Sequence, residues 1–204
     1  MIKNINEKLY NNISEAKAFG LNFTFMIYSY GDVSRDKYER EICTKCRKTE
    51  QFADMIYPKA NCKRDFGIFD SLDFGICKDL KNDLIERFDI TEADFRPVRN
   101  KKGDIIYYQI TPIHKMFPIY SVNDMIKIPS CPKCGRERFN MRKSFYNENK
   151  EEFFYITKEA LDDLHDINYS YEFGSIVVSR PVYEYLVAKY PRMQFVPYFL
   201  KSYY

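Results

Sequence analysis

The feature that most constrains this chain is a pair of cysteine turns that lie far apart in the sequence. One is Cys43-Thr44-Lys45-Cys46, and the other is Cys131-Pro132-Lys133-Cys134-Gly135. Two residues between the cysteines allow a tight turn to direct both sulfurs at one tetrahedral metal. Four thiolates are the usual ligand set of a closed structural zinc site. We therefore predict one structural Zn²⁺ bound by Cys43, Cys46, Cys131 and Cys134.

The two turns differ in how specific their sequences are. Pro132 fixes one backbone angle inside the second turn, and Gly135 permits a left-handed backbone after its second cysteine. The first turn has Arg47 where that glycine would stand. Lys45 and Lys133 occupy the same position in each turn, where their charge offsets the charge of the thiolates. The second turn is therefore the more specific of the two.

A dithiol redox site is the competing interpretation of the cysteine pairs. It requires a cysteine of low pKa at the start of a helix. Neither pair precedes a clear amphipathic helix, so a shared metal is favoured. The remaining thiols, Cys62 and Cys77, have a spacing that fits no metal turn, and we expect them to be buried or partly buried. Cys62 is an alternative ligand if Cys43 or Cys46 is displaced.

Length and composition limit the class of protein. The 204 residues suffice for one large domain or two small, closely fused ones, and 35 Phe and Tyr residues without tryptophan favour an aromatic, β-rich core. A net charge of +3 argues against a strongly basic nucleic-acid binder. We find no signal-peptide pattern and no apolar stretch of transmembrane length. Six cysteines without such a signal indicate a cytoplasmic protein.

The hydrophobic pattern predicts an α+β fold with an N-terminal helix. Periodic apolar residues predict a helix over 3–19 that ends at Gly20, a helix through Leu80, Leu84 and Phe88, a helix that begins after Thr157, and a helix capped by Ser179. Aromatic and β-branched runs predict strands at 22–30, 37–42, 95–97, 103–110, 153–156 and 176–178. Proline is expected to end the strand at 95–97.

The two parts of the chain share an order of motifs. We predict an N-terminal helix at 1–19, a first half at 20–98 and a second half at 99–204, which together form one compact unit. Each half has a strand, a CxxC turn, a helix and a Phe-x-Pro strand, and Asp73-Phe74-Gly75 is matched with Glu172-Phe173-Gly174. The alternative is that short strand–helix–strand units resemble one another by pattern alone. A duplication would place the predicted zinc where it joins the two halves.

The sequence lacks the motifs that are expected of an enzyme active site. The only two histidines are His114, in a loop after Pro112, and His165, in a helical pattern where a surface or interface position is expected. Neither has a nucleophile or base partner in the sequence, and no phosphate-binding loop is present. We predict a non-catalytic protein with no catalytic residues.

The layout of these motifs resembles the double-CxxCG family of bacterial immunity proteins. The residues that carry the resemblance are Cys43 and Cys46, Cys131 to Gly135, and the block from Gly174-Ser-Ile-Val-Val-Ser179 to Phe195-Val-Pro197. The similarity extends over most of residues 20–200 and departs at Arg47. It implies a protein that binds a cognate protein toxin and neutralises it by direct contact, with the zinc in a structural role. A composition rich in Lys, Asn, Ile and Tyr fits a bacterial or phage genome.

Two other classes remain open on sequence alone. One is a zinc-ribbon protein that binds nucleic acid or takes part in transcription. Basic residues near the second turn favour it, namely Lys133, Arg136, Arg138, Arg142 and Lys143. The other is an enzyme that uses the metal or a thiol, for which three protein ligands and an open position on the zinc would be needed.

Overall fold

The computed structural model of the chain describes residues 5–21, 26–28, 44–45, 56–57, 64–69, 74–116, 125–133, 135, 138–141, 154–170 and 175–200. Over these residues the fold is a mixed α+β structure, as predicted. Its helices are α1 (Ile5–Leu9), α2 (Lys78–Arg87), α3 (Lys158–Asp162) and α4 (Arg180–Lys189). Its strands are β1 (Ala18–Leu21), β2 (Met26–Tyr28), β3 (Ile56–Tyr57), β4 (Phe66–Phe69), β5 (Phe74–Ile76), β6 (Phe95–Asn100), β7 (Ile105–Ile110), β8 (Lys115–Met116), β9 (Met125–Ile128), β10 (Arg138–Met141), β11 (Phe154–Ile156), β12 (Ile167–Ser170), β13 (Ser175–Ser179) and β14 (Phe195–Leu200).

The chain divides into two compact units, each with its own sheet. We call Phe23–Pro112 together with Cys131–Gly135 the first unit. The second unit consists of Met1–Asn22, Ile113–Ser130 and Arg136–Tyr204. Position 98/99, where the sequence places the boundary between the halves, lies within β6. The predicted domain limits stay a prediction.

In the first unit, the described strands form one sheet in the order β2-β4-β5-β7-β6-β3. The three inner pairs are antiparallel, and the two outer pairs, β2 with β4 and β3 with β6, are parallel. Helix α2 packs against β7 and buries Leu80 and Leu84. These residues are four apart, so they lie on one face of the helix, as the sequence pattern predicts.

In the second unit, the main sheet has the order β11-β14-β1-β13-β12-β8. Helix α4 packs against β13 and β1, where the Phe19 ring stacks on Tyr183 at 3.7 Å and Phe195 meets Tyr183 edge-on at 5.0 Å. A further apolar cluster contains Ala18, Met116, Ile156, Ala160, Val177 and Tyr198. Strands β9 and β10 form a separate antiparallel pair. Burial of the aromatic side chains around Tyr183 and of the apolar cluster is the main contribution to the stability of the unit.

The two sheets have the same succession of strand directions. From one edge to the other, each sheet has a parallel pair, three antiparallel pairs and a parallel pair. The registers agree as well. Gln109 of β7 pairs with Gly75 and Arg96, and Gly20 of β1 pairs with Val177 and Val196. The corresponding strands are β2 and β8, β4 and β12, β5 and β13, β7 and β1, β6 and β14, and β3 and β11.

Several predicted elements are confirmed. Helix α2 contains two of the predicted apolar positions, Leu80 and Leu84, and ends just before the third, Phe88. Helix α4 begins directly after Ser179 with proline in its first turn. Thr157 caps α3, because its hydroxyl accepts a hydrogen bond from the Ala160 N–H at 3.2 Å. The Ser179 hydroxyl does not cap α4 in this way and instead donates to Asp166 Oδ1 at 2.5 Å. The predicted strand at 37–42 lies outside the described residues.

The prediction of one helix over 3–19 is wrong in its extent. The α-helix covers only Ile5–Leu9, a short 3₁₀ turn follows at Ile13–Glu15, and Ala18–Leu21 is strand β1. All four residues of β1 are buried. The helical spacing of the apolar residues is therefore overridden by the inner position that β1 takes in the sheet of the second unit.

Proline does not end the strand that contains Pro97. Strand β6 continues to Asn100, and Pro97 pairs with Tyr108 of β7. Pairing with β3, on the other side, begins at Arg99, so the missing N–H of Pro97 falls before that ladder begins. Pro197 has the same position in β14, where pairing with β11 begins at Tyr198.

Candidate metal centre

The second cysteine turn joins strands β9 and β10 in the sequence. The Gly135 N–H donates a hydrogen bond to the Cys131 carbonyl oxygen at 2.8 Å, which closes the turn. Gly135 has a φ of +71°, a value that side chains disfavour, so glycine is favoured at this position. Cys131 is 1% exposed, whereas Pro132 and Lys133 are exposed. The backbone is therefore that of a tight turn with its first cysteine buried.

The described part of the first cysteine turn is Thr44 and Lys45, both of which are exposed in a turn. Lys133 Nζ donates a hydrogen bond to Thr44 Oγ1 at 2.6 Å. Thr44 and Lys133 are 89 residues apart in the sequence, and each is an inner residue of its own CxxC motif. This contact brings the two motifs together. Cys43, Cys46 and Cys134 lie outside the described residues.

The chemistry at Cys131 is compatible with a metal. A thiolate that is buried without compensation is unfavourable, and coordination of a divalent cation removes that penalty. The described residues contain no group of three or more Cys, His, Asp or Glu side chains placed to hold a metal. Three of the four predicted ligands are not among those residues, so the predicted set of four cysteines stays a prediction.

Cys77 has a structural role that the sequence pattern does not reveal. It is half-buried at the N-cap of α2, where its sulfur accepts a hydrogen bond from the Leu80 N–H at 3.4 Å. Its own N–H donates to the Asp65 carbonyl oxygen at 2.7 Å. Burial raises the pKa of the Cys77 thiol, and the nearby Asp65 carboxylate raises it further. Cys77 is therefore held as a neutral thiol, in agreement with the prediction of a partly buried thiol.

The two histidines lie face to face. The His114 and His165 rings stack at 3.4 Å between centroids, with 11° between their planes, and both are half-buried. His114 lies in a loop, as predicted. His165 follows the end of α3, and the Asn168 side chain bonds to it twice, by donating to its carbonyl oxygen at 2.6 Å and accepting from its N–H at 3.2 Å. Stacked rings face each other instead of converging on one metal ion. The sequence spacing of 51 residues gave no sign of this contact.

The sequence pattern also gave no sign of a buried lysine. Lys81 is 4% exposed in α2, and its ammonium group donates to both carboxylate oxygens of Glu92 at 2.7 Å. The same ammonium lies 4.3 Å from the centre of the Tyr108 ring. The ionic hydrogen bonds and the aromatic face together replace the water that burial removes.

Searches of protein-family models, of curated proteins and of solved structures gave no match to this chain. Over the residues that the structure describes, no helix is long and apolar enough to cross a membrane.

Proposed function

We propose that Cys43, Cys46, Cys131 and Cys134 bind one structural zinc ion. The observation that carries this proposal is the 2.6 Å hydrogen bond from Lys133 to Thr44, which joins the inner residues of the two motifs. The buried Cys131 and the closed turn at Gly135 are further support. Four thiolates would fill the tetrahedral coordination of zinc, which leaves no position for water and argues against hydrolysis at the metal.

We also propose that the chain contains an internal duplication. The support is the shared strand order and register of the two sheets. Each cysteine motif also has an equivalent position: 43–46 lies between β2 and β3, and 131–134 lies between the corresponding strands β8 and β11. On this reading each repeat supplies one pair of thiolates. The repeats would be residues 26–110 and 115–200, the second completed by β1.

The function that we propose is that of a non-catalytic binding protein, an immunity protein that neutralises a bacterial toxin by direct contact. Its support is the resemblance of the cysteine motifs and the closing block to the double-CxxCG family. A zinc ion that is closed by four thiolates fits this role, because it would hold a binding surface in place without taking part in chemistry.

Toxin neutralisation can be tested in a growth assay. The open reading frame next to this gene is expressed from an inducible promoter in a test strain, with and without this chain. The proposal expects growth arrest by the neighbouring protein alone and rescue by co-expression, with a stable complex in pull-down. A neighbouring protein that is harmless, or that arrests growth without rescue and without binding, would contradict it.

The alternative function is nucleic-acid binding by a zinc ribbon. The exposed side chains of Lys45 and Lys133, one from each motif, are the observation that favours it. Binding to phosphate would weaken steeply as salt concentration rises. Titration of fluorescent single- and double-stranded DNA and RNA between about 50 and 200 mM salt would reveal that slope. Binding with no salt dependence, or no binding, would reject this alternative.

A further inference from the structure

Strand β1 occupies a position in the second unit that a different part of the chain fills in the first. In the first unit, β6 turns through Lys101–Gly103 directly into β7, which lies between β5 and β6. In the second unit, β1 lies between β13 and β14, which correspond to β5 and β6. However, β1 comes before the whole first unit in the sequence, not after β14.

The correspondence between β1 and β7 extends to single residues. Ile110 and Leu21 pair with Phe95 and Phe195, the first residues of their Phe-x-Pro segments. The preceding residues, Gln109 in β7 and Gly20 in β1, occupy equivalent positions in their sheets. The next position is aromatic in both strands, Tyr108 in β7 and Phe19 in β1. Each of these rings contacts the corresponding residue of its helix, since Lys81 lies over Tyr108 and Tyr183 stacks on Phe19.

The segment that carries β1 is fixed by contacts to the end of the chain. The Arg180 guanidinium donates hydrogen bonds to three carbonyl oxygens that precede β1, those of Ile13, Ser14 and Ala16. The fully buried Asn6 donates to the Met193 carbonyl oxygen at 3.0 Å and accepts from the Phe195 N–H at 2.8 Å. Residues 5–21 are thus held by side-chain and backbone hydrogen bonds as well as by the sheet.

We propose that residues 5–21 carry the displaced last strand of the second repeat and close that repeat from the opposite end of the chain. This inference rests on the duplication put forward under the proposed function. It makes β1 a clasp: the sheet of the second unit is complete only when β1 lies between β13 and β14. The strand pairs of β1 and the hydrogen bonds of Asn6 and Arg180 described above all lie within the second unit, so we expect β1 to keep its position when its covalent connection to β2 is cut.

The proposal predicts that the segment can be moved without loss of the fold. In a circular permutant, the chain begins at Phe23, runs to Tyr204, continues through a Gly/Ser linker of about 15 residues and ends with residues 1–22. We expect the long-linker permutant to unfold cooperatively, with a melting temperature within about 5 °C of the native chain.

Gly20 reports whether the moved strand enters the same slot. A methyl group on Gly20 would lie 2.6 Å from Tyr198 Oη, so Gly20→Ala should lower the melting temperature of the native chain, and Tyr198→Phe should restore part of the loss. In the permutant we expect the same loss and the same restoration. Failure of the long-linker permutant to fold, or a permutant that is insensitive to Gly20→Ala, would overturn the proposal.

The readouts keep this proposal separate from the proposed function. Zinc content and toxin neutralisation are measured on the native chain, whereas cooperative unfolding and the effect of Gly20→Ala are measured on the permutant. A native chain that binds zinc and neutralises a toxin, beside a permutant that does not fold, would reject the clasp alone. A permutant that folds as expected, from a chain that neutralises nothing, would reject the toxin assignment alone.

Discussion

Lys81 of α2 lies over the Tyr108 ring of β7, and the equivalent positions of the second unit hold Tyr183 of α4 stacked on Phe19 of β1. Equivalent helix and strand positions thus hold an aromatic stack in the second unit and an ammonium–aromatic contact in the first. The change introduces a charge into a buried position, and the bond to Glu92 compensates for it. The two sheets therefore share a backbone plan and differ in how the interface between helix and sheet is filled.

The Lys81–Glu92 pair gives an asymmetric prediction. The Glu92 side chain is 73% exposed, whereas that of Lys81 is 6% exposed. Glu92→Gln leaves a buried ammonium without its anion and should cost about 1–3 kcal/mol of unfolding free energy. Lys81→Met removes the buried charge and keeps the volume, so its cost should be smaller, within about 1 kcal/mol. Urea unfolding measures both, with Glu86→Gln in the exposed part of α2 as the control. A larger loss for Lys81→Met would contradict this account.

Cysteine substitutions separate the predicted zinc ligands from the capping thiol. Purified protein should contain about one zinc per chain, and Cys131→Ser should lower both zinc content and stability. Cys77→Ser is the matched control, because serine already stands at the equivalent N-cap position, residue 179. It should leave the zinc content unchanged. Elemental analysis and thermal unfolding give both readouts, and a stable, metal-free native protein would refute the site.

The buried side chain of Asn6 should contribute strongly to the free energy of unfolding. Asn6→Ala leaves the Met193 carbonyl and the Phe195 N–H buried without their partner, which should cost about 2–4 kcal/mol. Asn12→Ala is the control, because Asn12 precedes the 3₁₀ turn without capping it through its side chain, and its cost should stay under about 0.5 kcal/mol. Equal losses for the two variants, measured by chemical denaturation, would argue against the role of Asn6.

Gln109 offers a stabilising substitution. It is 1% exposed, and within the part of the chain that the structure describes neither of its amide atoms has a hydrogen-bond partner. Gln109→Met keeps the length of the side chain and removes the unsatisfied amide, so we expect a gain of about 1–2 kcal/mol. Gln194→Met is the control. Gln194 is half-buried and has an interaction partner, so its replacement should give no gain in stability. A clear loss for Gln109→Met would indicate that the amide has a bound partner.

Cys77 predicts a pH dependence at the alkaline end. Because burial raises its pKa in the folded state, the folded protein favours the neutral thiol. This contribution is complete below the unfolded-state pKa of about 8.5 and is lost as the pH rises through the higher folded-state value. Wild-type stability should therefore fall relative to that of Cys77→Ser between pH 7 and pH 10, as measured by denaturant unfolding at each pH. An unchanged difference would show that the thiol titrates normally.

Local patterns predicted much of the fold. The Phe-x-Pro segments at 95–97 and 195–197 have equivalent registers. Buried apolar residues four apart lie at equivalent places in the two helices, Leu80 and Leu84 in α2 and Val182 and Leu186 in α4. Four-residue spacing and strand composition are local signals, so the sequence shows both. The match between the two acidic-Phe-Gly motifs stays a prediction, because Asp73 and residues 172–174 lie outside the described residues. Strand pairing places Phe74 opposite Ile68 just as Ile176 is opposite Tyr169, so the proposed duplication would match Phe74 with Ile176.

Non-local contacts account for what the sequence did not predict. Ala18–Leu21 is too short to be distinguished from the end of a helix, and its partners begin at Ser175 and Phe195. At the candidate metal centre, the set of four cysteine ligands stays a prediction from their spacing, and that spacing could not predict the bond between Lys133 and Thr44. That contact depends on long-range folding. The stack of His114 on His165 is hidden in the sequence for the same reason.

The inner position of β1 has a consequence for the folding of the protein during its synthesis on the ribosome. Strand β1 is synthesised before the first unit, but β13 and β14 emerge only after residue 175. At a synthesis rate of about 5–20 residues per second, the four apolar residues of β1 remain without their strand partners for roughly 10–30 s. The first unit can form its own sheet in this interval. The β1 segment thus lacks its strand partners until translation is almost complete, and a chaperone that binds short apolar segments has that interval in which to reach it.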